Sequence, residues 1–174
     1  AKALKDFSNN NVSLVFESGT RTDTDTDGAA GTRYRVRMRV QNLELPAGVD
    51  VTFQNIVMKY DEGTQTKAQD ADGNITSYDM TFAGNGGTLT FGDGVVFLKH
   101  NDETMKPTVY GGSTTKAITQ NSTVTVTAGC NAHFTAIYGG GTKAQTGNTS
   151  VAINGGTVDK VFGGGKTAEG TITG

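Results

Sequence analysis

Two hexapeptides of one pattern, AIYGGG (136–141) and KVFGGG (160–165), lie 24 positions apart in this 174-residue chain. The stretches around them match as well: NSTVTVTAG (121–129) aligns with NTSVAINGG (148–156) at an offset of 27. The difference of three residues places Cys130 to Ala132 in a bulging turn of the earlier copy. TVYGGSTTKA (108–117) is a weaker copy, and TLTFGDGVVF (88–97) a weaker one still. A period in the twenties restricts the chain to a stacked array, in which each repeat buries its apolar side against its neighbours.

The content of the repeat selects the kind of array. Abundant glycine and threonine, with apolar runs of strand length, exclude a helical repeat. A propeller blade requires roughly forty residues, too long for this period. A coil of two or three short strands fits, each coil resting on the next at about 4.8 Å. Ile137 and Val161 then occupy equivalent positions in successive coils, and Tyr138 and Phe162 stack on one another. The triplets Gly139–Gly141 and Gly163–Gly165 turn the corners, where positive φ and the close approach of successive corners both favour glycine. Asn154, Gly155 and Gly156 supply another corner. With 25 glycines and two prolines, turns must come from Gly, Asn and Asp.

Upstream the pattern is looser. AKALKDF (1–7) suits a short helix with Ala3, Leu4 and Phe7 facing inward. VSLVF (12–16) reads as a strand. In RYRVRMRV (33–40), alternation puts Arg33, Arg35, Arg37 and Arg39 on one face and Tyr34, Val36, Met38 and Val40 on the other. LELPAGVDVTFQNIVMKY (43–60) reads as two strands joined at PAG. Two polar insertions, 17–32 and 61–77, read as loops or exposed hairpin tips.

The pattern N-x-x-V-x-V/I-x-x-G followed by V/I-Y/F-G-G-G resembles the right-handed parallel β-helix domains of large secreted or surface-anchored proteins of gut Firmicutes, in the broad pectin-lyase-like group. The resemblance is clearest over about residues 85–174. It implies one all-β solenoid domain over 1–174, with its clearest repeats at 108–174 and AKALKDF as the remnant of a capping helix. It also implies a piece of a larger multidomain protein, since EGTITG (169–174) stops where the next N-T-S-V would begin. Members of the group include polysaccharide lyases and hydrolases, and also adhesive or spacer modules without activity.

Chemistry is sparse by comparison. A net charge of −2 provides no field to draw nucleic acid or an anionic membrane surface, and no apolar stretch is long enough to insert in a bilayer. Asp23, Asp25 and Asp27 in TDTDTDG have the every-second-residue spacing of calcium loops, but no glutamate stands at the twelfth position. Calcium and a solvated acidic loop both remain open there; at Asp70, Asp72 and Asn74 the two readings are a metal site and a hairpin turn at DGN. Cys130 is the single cysteine and reads as a small buried hydrophobe. His100 and His133 read as loop and turn residues, and carboxylates over 105–174 are confined to Asp159 and Glu169. STVTVT and TLTF carry the letters of a threonine ladder that could face a surface lattice, which the aligned SVAIN interrupts.

The expectation is therefore a non-catalytic extracellular module, secreted or at the cell surface, for adhesion, carbohydrate binding or rigid spacing. Its partner would be a polysaccharide or host glycan, met by Arg33, Arg35, Arg37 and Arg39 with Tyr34, Tyr60 and Tyr78. No cofactor other than calcium is expected. The alternative is a polysaccharide lyase or glycoside hydrolase, which needs a groove with paired carboxylates or a calcium beside a basic residue.

Overall fold

The computed structural model describes residues 13–17, 37–40, 42–60, 80–99, 103–145 and 147–167. Every regular element among them is a strand: β1 Ser13–Glu17, β2 Arg37–Val40, β3 Asn42–Glu44, β4 Asp50–Gln54, β5 Val57–Tyr60, β6 Thr81–Ala83, β7 Thr88–Phe91, β8 Val96–Leu98, β9 Thr108–Tyr110, β10 Ser122–Val126, β11 His133–Phe134, β12 Ala136–Tyr138, β13 Thr149–Ile153, β14 Thr157–Val158 and β15 Val161–Phe162. The expected helix at Ala1–Phe7 lies outside the described residues.

The strands alternate among sheets in a fixed rotation. One sheet has the order β1-β4-β7-β10-β13 and a second the order β15-β12-β9-β6-β3. The third side is made by β2-β5-β8 and, further along, by β11-β14. The chain thus lays one strand in each sheet and returns to the first, and all strand pairs are parallel. Both offsets read from the repeat are the true registers: Ser122 pairs with Thr149, and Ile137 with Val161. The earlier turns are longer, since Leu14 pairs with Val51 and Val51 with Leu89. The polar insertions fall within these longer turns, which is why the repeat fades toward the N-terminal end.

Alternation along each strand sends one set of side chains inward. In the first sheet the columns are Leu14, Val51, Leu89, Val124, Val151 and Phe16, Phe53, Phe91, Val126, Ile153. In the second they are Leu43, Phe82, Val109, Ile137 and Val161. Interior residues of all the sheets belong to one apolar cluster. Phe53, Phe82, Phe91, Phe97 and Phe134 form its centre, with ring centroids 5.2–5.9 Å apart. Each such pair adds about 0.5–1.5 kcal/mol beyond the area it buries.

Corners explain two departures from the sequence reading. VDVTFQNIVMKY is not one strand: Asn55, at φ 49°, breaks it into β4 and β5. Asparagine is among the few side chains that tolerate this conformation. The glycine triplets do turn corners, but not through positive φ; among the described glycines that is found at Gly48, Gly86, Gly94 and Gly156. In the first triplet the cause is proximity: a Cβ on Gly139 would lie 2.3 Å from the Gly163 carbonyl oxygen, and one on Gly141 would lie 1.9 Å from that of Ser113, whereas one on Gly163 would meet nothing within 4 Å. The Cys130–Ala132 insertion also folds inward instead of bulging out, with Cys130 and Ala132 in the core and Asn131 exposed. Burial pushes the Cys130 thiol pKa up, helped by the nearby Asp93 carboxylate and opposed by a backbone hydrogen bond at Ala132.

Candidate functional site

The outer face of the second sheet carries a column in register: Glu44, Ala83, Tyr110, Tyr138 and Phe162. The three aromatic rings stack nearly parallel, Tyr110 on Tyr138 at 5.2 Å and Tyr138 on Phe162 at 4.7 Å. Tyr110 and Tyr138 are nevertheless buried. The reason is local sequence: each aromatic precedes a glycine-rich segment, and these segments fold back across the sheet. They stack on one another as well, with the Thr142 N–H donating to the Ser113 carbonyl at 3.1 Å and the Lys166 N–H to that of Gly141 at 3.0 Å. Lys166 Nζ sits 6.0 Å from the centre of the Tyr110 ring, within cation–π range.

The first of these segments, Ser113–Thr115, reaches past Ala83 to Glu44. Ser113 Oγ donates to Glu44 Oε1, Thr115 Oγ1 donates to the same oxygen at 2.9 Å, and Thr114 Oγ1 donates to Oε2 at 3.1 Å. Beside this clamp opens a groove of about 530 Å³. Ala83 and Tyr110 supply its apolar lining; Asn42, Glu44, Thr81 and Thr142 supply polar groups. Thr81 Oγ1 donates to Asn42 Oδ1 at 2.6 Å, which orients the amide at one end. The groove has the size and mixed lining of small-ligand sites. Its residues come from positions about 70 apart, so no local motif announces it.

A second cluster lies on the third side. His133 Nε2 is 2.5 Å from Asp159 Oδ1, and Lys106 Nζ is 3.4 Å from Asp159 Oδ2. His133 borders a hollow of about 290 Å³ that also touches Val96, Thr104 and Met105. His133 is thus a half-buried strand residue with a carboxylate partner, not the exposed turn residue expected. The repeat did contain a signal: at the offset of 24, Asp159 lies opposite Thr135, one same-face position beyond His133. The exposed Asp159 carboxyl has its pKa held below the ordinary aspartate range, chiefly by the His133 hydrogen bond and then by Lys106.

A depressed pKa contributes stability that is present above the unfolded-state pKa and is lost as pH falls through the folded-state one. The unfolded value is about 3.9. Wild type is therefore expected to lose its advantage over Asp159→Asn below about pH 4. Paired urea titrations at neutral and acid pH check this; a stability difference that does not change with pH contradicts it.

Of the residues singled out by sequence, Tyr60 is 4% exposed and packs in the core, so its ring serves the interior and not a contact surface. Arg37 and Arg39 fall in β2, in register with Val57 and Lys59 of β5. Arg33, Tyr34, Arg35 and Tyr78 lie outside the described residues, as do Asp23, Asp25, Asp27, Asp70, Asp72, Asn74 and His100. Among the described residues no three His, Cys, Asp or Glu side chains gather as a metal site, and no helix is long and apolar enough to cross a membrane. The threonine ladder is longer than expected: Thr52, Thr90 and Thr125 stand in register, with Val15 before and Ala152 after.

The fold and site define a class, an all-β protein of parallel strands stacked around one core with a polar-rimmed groove on one sheet. Comparison with known protein families, with curated proteins and with solved structures returns no match.

Proposed function

We propose that this chain is a right-handed parallel β-helix module of a secreted or surface-exposed bacterial protein, acting without catalysis as a rigid spacer that also contacts polysaccharide or host glycan. The observation that carries the reading is the unbroken column structure. Inward columns of the first sheet run from β1 to β13 and outward rings stack through β9, β12 and β15. A rung held on both faces by its neighbours resists bending, and a stack of such rungs projects whatever it bears. The right hand follows from the strong preference, about 98%, for right-handed connections between parallel strands of one sheet.

The groove supports the glycan half. Sugars present hydroxyls at their edges and C–H groups on their faces, which suits amide, hydroxyl and carboxylate groups around an apolar lining. Glu44 is the one carboxylate lining this groove among the described residues, and it already accepts three hydroxyl hydrogen bonds. Glycoside hydrolysis uses two carboxylates across the bond that breaks, so the groove favours binding over cleavage.

Two measurements test the two halves. Native-state hydrogen exchange is expected to show the β4, β7 and β10 amides opening together as one cooperative unit; rungs that open independently remove the spacer. Binding to a polysaccharide panel is expected to yield a ligand whose affinity falls roughly tenfold, about 1.4 kcal/mol, in Asn42→Ala. A panel with no binder, or a binder indifferent to Asn42 and Thr81, removes the groove.

A further inference from the structure

Glu44 is held in place by hydroxyls and by no cation. Ser113, Thr114 and Thr115 all donate to it, and among the described residues no lysine, arginine or histidine pairs with it. The clamp is itself fixed from behind. Ser113 is 1% exposed, and its Oγ accepts the N–H groups of Thr115 at 3.2 Å and Lys116 at 3.1 Å, which directs its own proton to Glu44. Thr142, one rung on, donates its hydroxyl to the Thr114 carbonyl at 3.0 Å and its N–H to that of Ser113. An ionised carboxylate offers about four lone-pair positions. Two bonds fall on Oε1 and one on Oε2, so a position on Oε2 is left, in the wall of the groove. The hydroxyls thus orient the negative charge without neutralising it. Asn42 stands two residues away on the same outer face of β3, about 6.6 Å along the strand. Its Oδ1 takes the Thr81 proton, so its amide N–H groups are what it presents to the groove.

We infer that the groove takes a sugar bearing a primary ammonium group, a hexosamine without its acetyl, seated with the ammonium on Glu44 Oε2 and a ring or hydroxyl oxygen on the Asn42 amide. The inference rests on the glycan reading above and narrows it. A charge-assisted N–H···O bond is roughly twice as strong as a neutral one, and a carboxylate that is already oriented loses little side-chain freedom on binding. A neutral sugar would bond the same oxygen but leave its charge uncompensated. A uronic acid would bring a second carboxylate against Glu44, with no cation in the groove lining to offset the pair. Arg37 and Arg39, which as glycan contacts would favour acidic sugars, stand on β2, in a different sheet from β3. Calcium fits less well than an ammonium. It takes about six to eight oxygens, and Glu44 is the one carboxylate of the lining, with most of its positions filled.

The test is calorimetry on the full chain with β-1,4-linked oligosaccharides of equal length made of glucose, N-acetylglucosamine or glucosamine, at a mildly acid pH where the amine is charged. These probes share a backbone and differ at one substituent per ring. The glucosamine oligomer is expected to bind roughly tenfold more tightly than either of the others, a gap that shrinks at high salt and closes in Glu44→Gln. The wild-type ranking needs no variant, so it decides the matter even where Glu44→Gln does not fold. A glucosamine oligomer that binds no tighter than the other two, while some polysaccharide still responds to Asn42→Ala, overturns the ammonium and leaves the glycan groove standing. A gap that persists unchanged in folded Glu44→Gln does the same. A polysaccharide panel with no binder at all removes both readings. A lysine peptide of equal charge that binds as tightly as the glucosamine oligomer also overturns the inference, because the groove would then read charge and not sugar.

Discussion

Phe91→Ala is expected to lower the unfolding free energy by about 3–5 kcal/mol, the usual cost of deleting a fully buried phenylalanine ring. Phe91 has no solvent exposure, and its ring lies within 5.9 Å of those of Phe53, Phe82, Phe97 and Phe134. It touches rings from the first, second and third sides, so no single strand can close over the void. A loss of this size is a large part of the total for a domain with about 5–15 kcal/mol in hand. Urea denaturation followed by near-UV circular dichroism measures it. A loss below about 1 kcal/mol would mean that the interior is loosely packed and that the columns do not share one core.

Gly141→Ala is expected to cost as much or more, although it adds one methyl group. Replacing a flexible glycine normally stabilises a protein by about 0.4–1 kcal/mol, because the unfolded chain loses freedom. Here the new Cβ would sit 1.9 Å from the carbonyl oxygen of Ser113 and 2.7 Å from its nitrogen. Both are backbone atoms, and the Thr142 N–H bonds to that same carbonyl, so the rung cannot yield without breaking its ladder. Overpacking that displaces side chains and backbone costs about 1–3 kcal/mol and occasionally more, and a contact of 1.9 Å with a hydrogen-bonded carbonyl belongs at the upper end. Gly163→Ala is the control, expected to be neutral or slightly stabilising. Equal effects from the two alanines, read from the same thermal melts, would refute the steric account.

The pair shows where sequence reading succeeded and where it stopped. AIYGGG and KVFGGG announced stacked rungs, and the aromatic stacking of Tyr138 on Phe162 followed directly from the repeat. The reason for the glycines was half legible. Proximity was right; positive φ was not, because whether a corner is left-handed depends on how the chain approaches the next sheet, which the letters do not encode. Asn55 shows the reverse case, a corner hidden inside an apolar run that looked continuous. Tyr60 was named among the glycan contacts, but its position in β5 directs it to the core.

The groove was illegible for a different reason. Glu44, Ser113, Thr114 and Thr115 are ordinary surface letters, and their meeting depends on a loop that spans more than one rung. His133 and Asp159 stood closer to being read, since the same offset that paired the strands places them on neighbouring rungs of one face.

Sequence by itself determined that this chain would stack: the period, the alternating Val, Ile and Phe positions and the glycine triplets each act between nearest rungs, and repetition makes such local rules visible. Tertiary structure alone decided what the surface brings together. The clamp on Glu44 and the burial of Tyr110 beneath a returning loop depend on contacts between segments with no fixed spacing, and sequence carries no signal for a distance that never repeats.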